Sequence, residues 1–316
     1  MRRIFGIFLL LSTGLCGAPP ETKAVVVEQA MIWGRAPHNA LTDLVRYHDR
    51  WFCVFREGLL PVSPDGALRV LTSADGISWQ PVARLALAGA DLRDPKFCVT
   101  PNGRLLLNAV TGGQPRQSLL WSSGDGREWS DPDPVGEPGA GLGRIAWYLG
   151  HAYSAGGSRL FTSADGASFT VHADAMREGA SLLFLPDGTA LALAGNALGR
   201  SRVPYRGWSW TELKKTVAGG AMLRLPDERI VVAGRVTDAT TRTALCWLDP
   251  DQEALTEFLA LPSGRETGAP GLVFHDGFVW VSYSSSHEGR AMIYFSKIKL
   301  PPLGGGKKPS RLTFGN

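Results

Sequence analysis

Three carboxylates and four arginines carry most of the chemistry that this sequence offers: Asp43, Asp94 and Glu178, with Arg56, Arg93, Arg144 and Arg235. Two carboxylates flanking a glycosidic bond supply an acid and a base or nucleophile. Guanidinium groups pair bidentately with carboxylates, so the arginines suit an anionic sugar. Tyr283, His287 and Glu288 add a phenol, an imidazole and a fourth carboxylate near the C-terminal end. Most of these positions lie far apart in the chain. They share a site only if a fold brings the same part of several repeats to one place.

A recurring turn points to such a fold. Ser73-Ala74-Asp75-Gly76-Ile77-Ser78-Trp79 returns as Ser123-Gly124-Asp125-Gly126-Arg127-Glu128-Trp129 and as Ser163-Ala164-Asp165-Gly166-Ala167-Ser168-Phe169. The copies start 50 and 40 residues apart, which is the period of a propeller or a similar array. Asp accepts from amides ahead of it, and Gly supplies a positive φ. A second signal is a two-residue turn between apolar runs: His48-Asp49, Asn102-Gly103, Leu149-Gly150, Asp187-Gly188, Asp227-Glu228 and Asp276-Gly277. No long helical period interrupts them.

These signals predict an all-β chain folded as a six-bladed β-propeller, with blades at 38–88, 89–138, 139–176, 177–217, 218–264 and 265–300. A five-bladed ring is the runner-up. The segment Ala24–Ile32 is expected to pair with the last blade and close the ring, because an open ring exposes strand edges. Charges at one register of each blade then converge on the axis: Asp43 and Arg56, Arg93 and Asp94, Arg144, Glu178, Arg235, and Tyr283 with His287 and Glu288. Taken singly, each residue also fits a solvated strand end or an internal ion pair.

The Ser-x-Asp-Gly-x-x-aromatic turn resembles the Asp-box of sialidases and other propellers built with that repeat. The wider layout resembles a bacterial branch of the sialidase superfamily over about residues 30 to 300. The likeness rests on His38-Asn39-Ala40-Leu41-Thr42-Asp43-Leu44, Phe55-Arg56-Glu57-Gly58, Asp91-Leu92-Arg93-Asp94-Pro95, Glu178-Gly179-Ala180-Ser181-Leu182 and Ser282-Tyr283 through Glu288-Gly289. It implies a glycan-active hydrolase of the exo-α-sialidase type with an arginine triad, a tyrosine nucleophile backed by a glutamate, and an aspartate acid–base. Glu178 matches the glutamate and Arg235 one arginine. Ala269 stands where the tyrosine is expected, and Asn196 stands where an arginine is expected. Tyr283, on the outgoing strand, is the substitute nucleophile. Arg93-Asp94-Pro95-Lys96 also resembles the Arg-Asp-Pro motif of five-bladed furanosidases, where Asp43, Asp94 and Glu178 would surround the sugar. The competing class is a non-catalytic glycan-binding or scaffold propeller.

The remaining features exclude other classes. The chain has 316 residues, 38 glycines, 10 tryptophans and a net charge of +4, with no basic face for nucleic acid. No metal-ligand spacing and no phosphate loop occur, so no cofactor is expected. Met1-Arg2-Arg3, an apolar run and small residues to Ala18 read as a signal peptide, too short to span a bilayer, and predict a secreted or periplasmic monomer. Leu15 before Cys16 departs from a lipobox. One propeller domain is expected over 24–300, followed by a disordered tail over 301–316. Cys53, Cys98 and Cys246 sit in apolar runs and read as buried thiols.

Overall fold

The computed structural model describes residues 23–302, so the expected signal segment and nearly all of the expected tail lie outside the described residues. Strand β1 (Val25–Trp33) precedes the first sheet, which is built from β2 (His38–Tyr47), β3 (Arg50–Gly58), β4 (Ala67–Ser73) and β5 (Gln80–Leu85). The second sheet holds β6 (Leu92–Val99), β7 (Leu105–Thr111), β8 (Ser118–Ser123) and β9 (Asp133–Val135). The third holds β10 (Ala146–Tyr148), β11 (His151–Gly156), β12 (Arg159–Ser163) and β13 (Thr170–Ala173). The fourth has six strands: β14 (Ser181–Phe184), β15 (Ala190–Ser201), β16 (Ser209–Arg224), β17 (Ile230–Thr237), β18 (Thr241–Asp249) and β19 (Ala254–Ala260). The fifth is β20 (Thr267–His275), β21 (Phe278–Ser285) and β22 (Met292–Lys299), with β1 added at its edge. The described residues contain no helix.

The arrangement is therefore a propeller of five sheets rather than the six separate blades expected. The difference lies in β16. Its first part pairs with β15 up to Val217, and its second part pairs with β17 from Ala218 onward. The expected boundary at 217/218 falls inside one continuous strand, so two expected blades form one sheet of double width. Strand β1 pairs antiparallel with β22, from Val25 opposite Lys299 to Trp33 opposite Ile293. The edge that a ring would otherwise expose is thus covered by the N-terminal strand.

Alternation along each strand places the core on both faces. In β3, Trp51, Cys53 and Phe55 pack with Trp280, Ile293 and Phe295 of the fifth sheet. Phe52 and Val54, pointing the other way, pack with Phe97, Leu105 and Trp121 of the second. The same division occurs in β17, where Ile230 and Val232 face β15 residues and Val231 and Ala233 face β21 residues. A strand covered on both faces needs a nearly unbroken apolar run, which is why Trp51–Phe55 shows no polar alternation. The three thiols lie in such runs and are buried. Burial pushes those of Cys98 and Cys246 up to about 12.

The three Ser-x-Asp-Gly turns share one hydrogen-bond scheme. Ser73 Oγ accepts from Gly76 N at 2.9 Å, and Asp75 Oδ1 accepts from Ile77 N and Ser78 N at 2.8 Å each. Ser123 with Asp125 and Ser163 with Asp165 repeat it. Trp79 donates to Gly76 O at 2.9 Å and sets its ring 4.9 Å from Phe295 of the neighbouring sheet. At Gly126, φ is +75° and a Cβ would fall 2.5 Å from the Phe52 ring, so only glycine fits.

Two outcomes follow from this packing. Trp51 is 2% exposed and its ring centroid lies 4.8 Å from that of Trp280. Trp51→Ala should cost about 3–5 kcal/mol in denaturant unfolding; a loss below about 1 kcal/mol would contradict the packing described. The turn carboxylates lie well below the usual carboxylate range, held at Asp75 and Asp125 chiefly by the two following amides and at Asp165 first by the Ser168 amide. A carboxyl depressed on folding contributes its stability in full above the unfolded value, near 3.9, and loses it as pH falls further. Stability should therefore drop below about pH 4, and a triple variant Asp75→Asn, Asp125→Asn, Asp165→Asn should show a flatter acid limb than the wild type.

Candidate functional site

The first strands of neighbouring sheets meet near one axis: β2 touches β6 and β20, β10 touches β14, and the second part of β16 touches β20. Four of these strands carry an irregularity at a comparable place. The register breaks between Ala40 and Asp43 in β2, Arg93 and Lys96 in β6, Ala218 and Ala221 in β16, and Gly268 and Gly271 in β20. Each break holds a residue with positive φ: Leu41 at 61°, Asp94 at 50°, Gly219 at 60° and Ala269 at 46°. For the three that are not glycine this backbone costs about 1–3 kcal/mol, which a bulge at a functional site commonly carries.

All four bulge residues line two adjoining cavities. One cavity, of about 270 Å³, is walled by Asp94, Lys96, Arg116, Arg144, Glu178 and glycine backbone, with Gly219 and Ala269 at its border. The second, of about 380 Å³, is walled by His38, Leu41, Pro61, Arg93, Arg235 and Arg265. Asp94, Gly219 and Ala269 belong to both. Asp94 is exposed and is the only carboxylate common to the two walls.

The expected residues divide into those that face this space and those that support it. Asp43 is fully buried. Its carboxylate accepts from Phe97 N at 2.7 Å and from Arg144 Nη2, so Asp43 and Arg144 neutralise each other. Arg56 is 0% exposed, donates from Nε to Asp91 Oδ1 at 2.6 Å and reaches Ser63 Oγ at 3.3 Å. Arg93 donates to Asp91 Oδ2 at 3.0 Å and to Pro61 O at 2.7 Å. Arg56 therefore corrects from a ligand arginine to a buried support, and one carboxylate serves both guanidiniums. Arg235 lines the second cavity; among the described residues neither it nor Arg265 has a carboxylate within ion-pair distance. Glu178 lies three residues before β14, largely exposed, with an oxygen 3.7 Å from Arg116.

Tyr283, His287 and Glu288 line neither cavity. Tyr283 is buried in the core, where its hydroxyl accepts from Gln29 Nε2 at 3.2 Å and its ring packs on Tyr294. Burial raises its phenol above the ordinary value, the wrong direction for a nucleophile. His287 bonds Ser285 Oγ at 2.9 Å and sets its ring, tilted, 4.5 Å from that of Tyr294, and Glu288 stands 3.9 Å from it. These three are corrected out of the site because β21 turns Tyr283 towards the packed interior.

Sequence reasoning passed over Arg116, Arg265 and Asp91 as site residues, and named Lys96 only within the Arg93-Asp94-Pro95-Lys96 motif. Lys96 is half-buried, and its ammonium donates to Pro95 O at 3.2 Å. Burial lowers its pKa, Asp43 and Asp94 oppose that shift, and Arg144 adds to it. His38 is likewise lowered, first by burial. Because a guanidinium cannot accept, Arg56 Nη1 at 3.4 Å assigns the acceptor role to His38 Nδ1, which leaves Nε2 to donate to Glu266 at 3.1 Å. Asp91 was legible in hindsight as the acid two residues before Arg93; Arg116 and Arg265 sit in loops with no spacing signal. Among the described residues no cluster of side chains could hold a metal ion.

No protein-family model matches the chain, and no curated protein matches it. Solved structures do resemble it in fold. A protein of unknown function from Dyadobacter fermentans superposes with a TM-score of 0.76 at 18% identity, over 88% of this chain and all of that one. An α-L-arabinofuranosidase from Fusarium graminearum, bound to an iminosugar inhibitor, gives 0.68 at 13% identity over 87% of this chain and 98% of that one. A Trypanosoma rangeli sialidase mutant displaying trans-sialidase activity gives 0.65 at 11% identity. That match covers 85% of this chain and 58% of the sialidase, so this chain spans little more than half of its length.

The shared carboxylate gives this site a stability test. Removing the charge of Asp91 leaves Arg56 buried without its partner, which costs about 3–5 kcal/mol. Asp91→Asn should lower the unfolding free energy by that amount, whereas Glu178→Gln, at an exposed position, should change it by less than about 0.5 kcal/mol.

Proposed function

We propose that the protein is a glycoside hydrolase that cleaves a neutral sugar at the channel mouth, with Asp94 and Glu178 as its working carboxylates. The observation that carries this reading is the placement of Asp94. A left-handed bulge holds it in the wall between two cavities, and Glu178 lines the first of them, of about 270 Å³. Asp94, fixed by its strand, suits attack at the anomeric carbon. Glu178, in a loop, suits protonation of the leaving oxygen and later activation of water. Lys96 and Arg116 supply donors for sugar hydroxyls.

A neutral sugar is favoured over a sialoside for two reasons. Arg56, Arg93 and Arg144 are each engaged by Asp91 or Asp43. With Ala269 in the bulge and Tyr283 in the core, attack falls to a carboxylate, which would be repelled by a substrate that itself bears one. The likeness in fold to the arabinofuranosidase agrees with a neutral substrate, although at 13% identity it speaks for fold alone. The second reading is glycan binding without cleavage, and Ala269 at the bulge favours it.

A panel of chromogenic neutral glycosides, arabinofuranosides included, with a fluorogenic sialoside separates these readings. Turnover of at least one neutral glycoside is expected, falling by about 10³-fold or more in Asp94→Asn and in Glu178→Gln. Binding with no turnover would establish the second reading. Sialoside cleavage faster than any neutral turnover would overturn the choice of substrate.

A further inference from the structure

The loop over residues 59–66, between β3 and β4, exposes three aliphatic side chains in four positions. Leu59 is 62% exposed, Leu60 61% and Val62 70%. Scattered exposed aliphatics are ordinary, but a contiguous group marks a contact surface. The loop reaches the channel through Pro61, which lines the second cavity, and Val62, which lines a further hollow that shares Arg93, Asp94 and Arg116 with the space around the candidate site; Leu59 and Leu60 precede them on the outer surface.

The loop is also braced from beneath. Leu59 N donates to Asp65 Oδ2 at 3.0 Å, and Leu60 N donates to Ser63 Oγ at 3.3 Å. Ser63 Oγ in turn accepts from the buried Arg56, and Pro61 O accepts from Arg93 at 2.7 Å. Gly66 N closes the turn on Ser63 O at 3.0 Å. A Cβ at Gly66 would lie 1.8 Å from Asp91 Oδ1, so the loop rests directly on the ion pair. Its polar groups are spent on holding its own shape, and its apolar groups are turned outward. A surface already fixed loses little entropy when something settles on it.

We infer that Leu59, Leu60 and Val62 form a subsite for an apolar aglycone, the non-sugar part of a glycoside whose sugar enters the channel. The inference rests on the glycan reading above and adds the chemistry of the group beyond the scissile bond. The occupant follows from continuity: a ligand with its sugar beside Asp94 and its next atoms directed towards Pro61 meets aliphatic surface. A polysaccharide continuing in that direction would meet no hydrogen-bonding side chain on these three residues.

The test compares methyl and n-octyl glycosides of glucose, galactose and arabinofuranose, below micelle-forming concentrations, by calorimetric titration. The triple variant Leu59→Ser, Leu60→Ser, Val62→Ser leaves every bracing group in place, and an unchanged unfolding temperature checks its fold. For the sugar that binds, the octyl form should bind the wild type at least about tenfold tighter than the methyl form, since each methylene removed from water favours binding. In the triple variant that advantage should shrink to within about twofold. Equal binding of both forms to the wild type, or an octyl advantage that survives the triple variant, overturns the subsite while the glycan reading stands. Binding of neither form overturns the glycan reading and the subsite with it. Tight binding of the wild type to phosphatidylcholine vesicles, lost in the triple variant, assigns the lip to a lipid surface and overturns the aglycone assignment.

Discussion

The Arg56 guanidinium has no exposure to water, so the whole mouth of the channel is built on the demand that Asp91 stay beside it. Asp91 answers with one oxygen and offers the other to Arg93. Two sheets are tied together at this point, because Arg56 belongs to β3 and Arg93 to β6. The same cluster carries the loop above it and reaches His38 at the start of β2. Pairs of this kind add little net stability, since taking both charges out of water costs nearly what their attraction returns. What they impose is geometry: any relaxation that separates the partners leaves a bare buried charge. The bulge that presents Asp94 follows Arg93 directly, and so inherits that fixed position.

The outline of the fold was legible because it is written in local signals. Turn pairs such as His48-Asp49 and Asp276-Gly277 adopt the positive φ values their residue types favour, and the Ser-x-Asp-Gly turns form the bonds their composition allows. The pairing of β1 with β22 followed from a general cost, that of an unpaired edge. The division expected at 217/218 is not a blade boundary but a change of partner within β16. The backbone of β16 passes from β15 to β17 as partner between Val217 and Ala218 and continues through Gly219-Gly220. A change of partner within a strand has no compositional mark.

The site was less legible, for a different reason. An arginine destined for a ligand and one destined for an internal acid have the same side chain. Only the distance to Asp91 or Asp43 tells them apart, and that distance exists only after folding. Arg144 meets Asp43 across 101 positions of chain, which no spacing rule reaches. Tyr283 fails similarly: its face of β21, shared with Val279 and Val281, packs against Val231, Ala233 and Leu245 of the fourth sheet. Asp94 was singled out because its motif and its register agreed, and it stands in the wall of both cavities; Ala269 was noted only as an alanine in a tyrosine's expected place, and its bulge had no mark in the sequence.

The continuous strand β16 gives the ring a seam unlike its others. Elsewhere, neighbouring sheets are joined by stretches of loop, such as residues 86–91 between β5 and β6. Such stretches tolerate an inserted segment or a cut, because no ladder bond depends on them. Between Val217 and Ala218 there is no such slack. Cutting or lengthening the chain there would disturb the ladders to β15 and β17 together, so the two halves of that sheet are obliged to appear and disappear as one piece. Evolution and engineering can therefore add to this ring at its other joints, while this one stays closed to them.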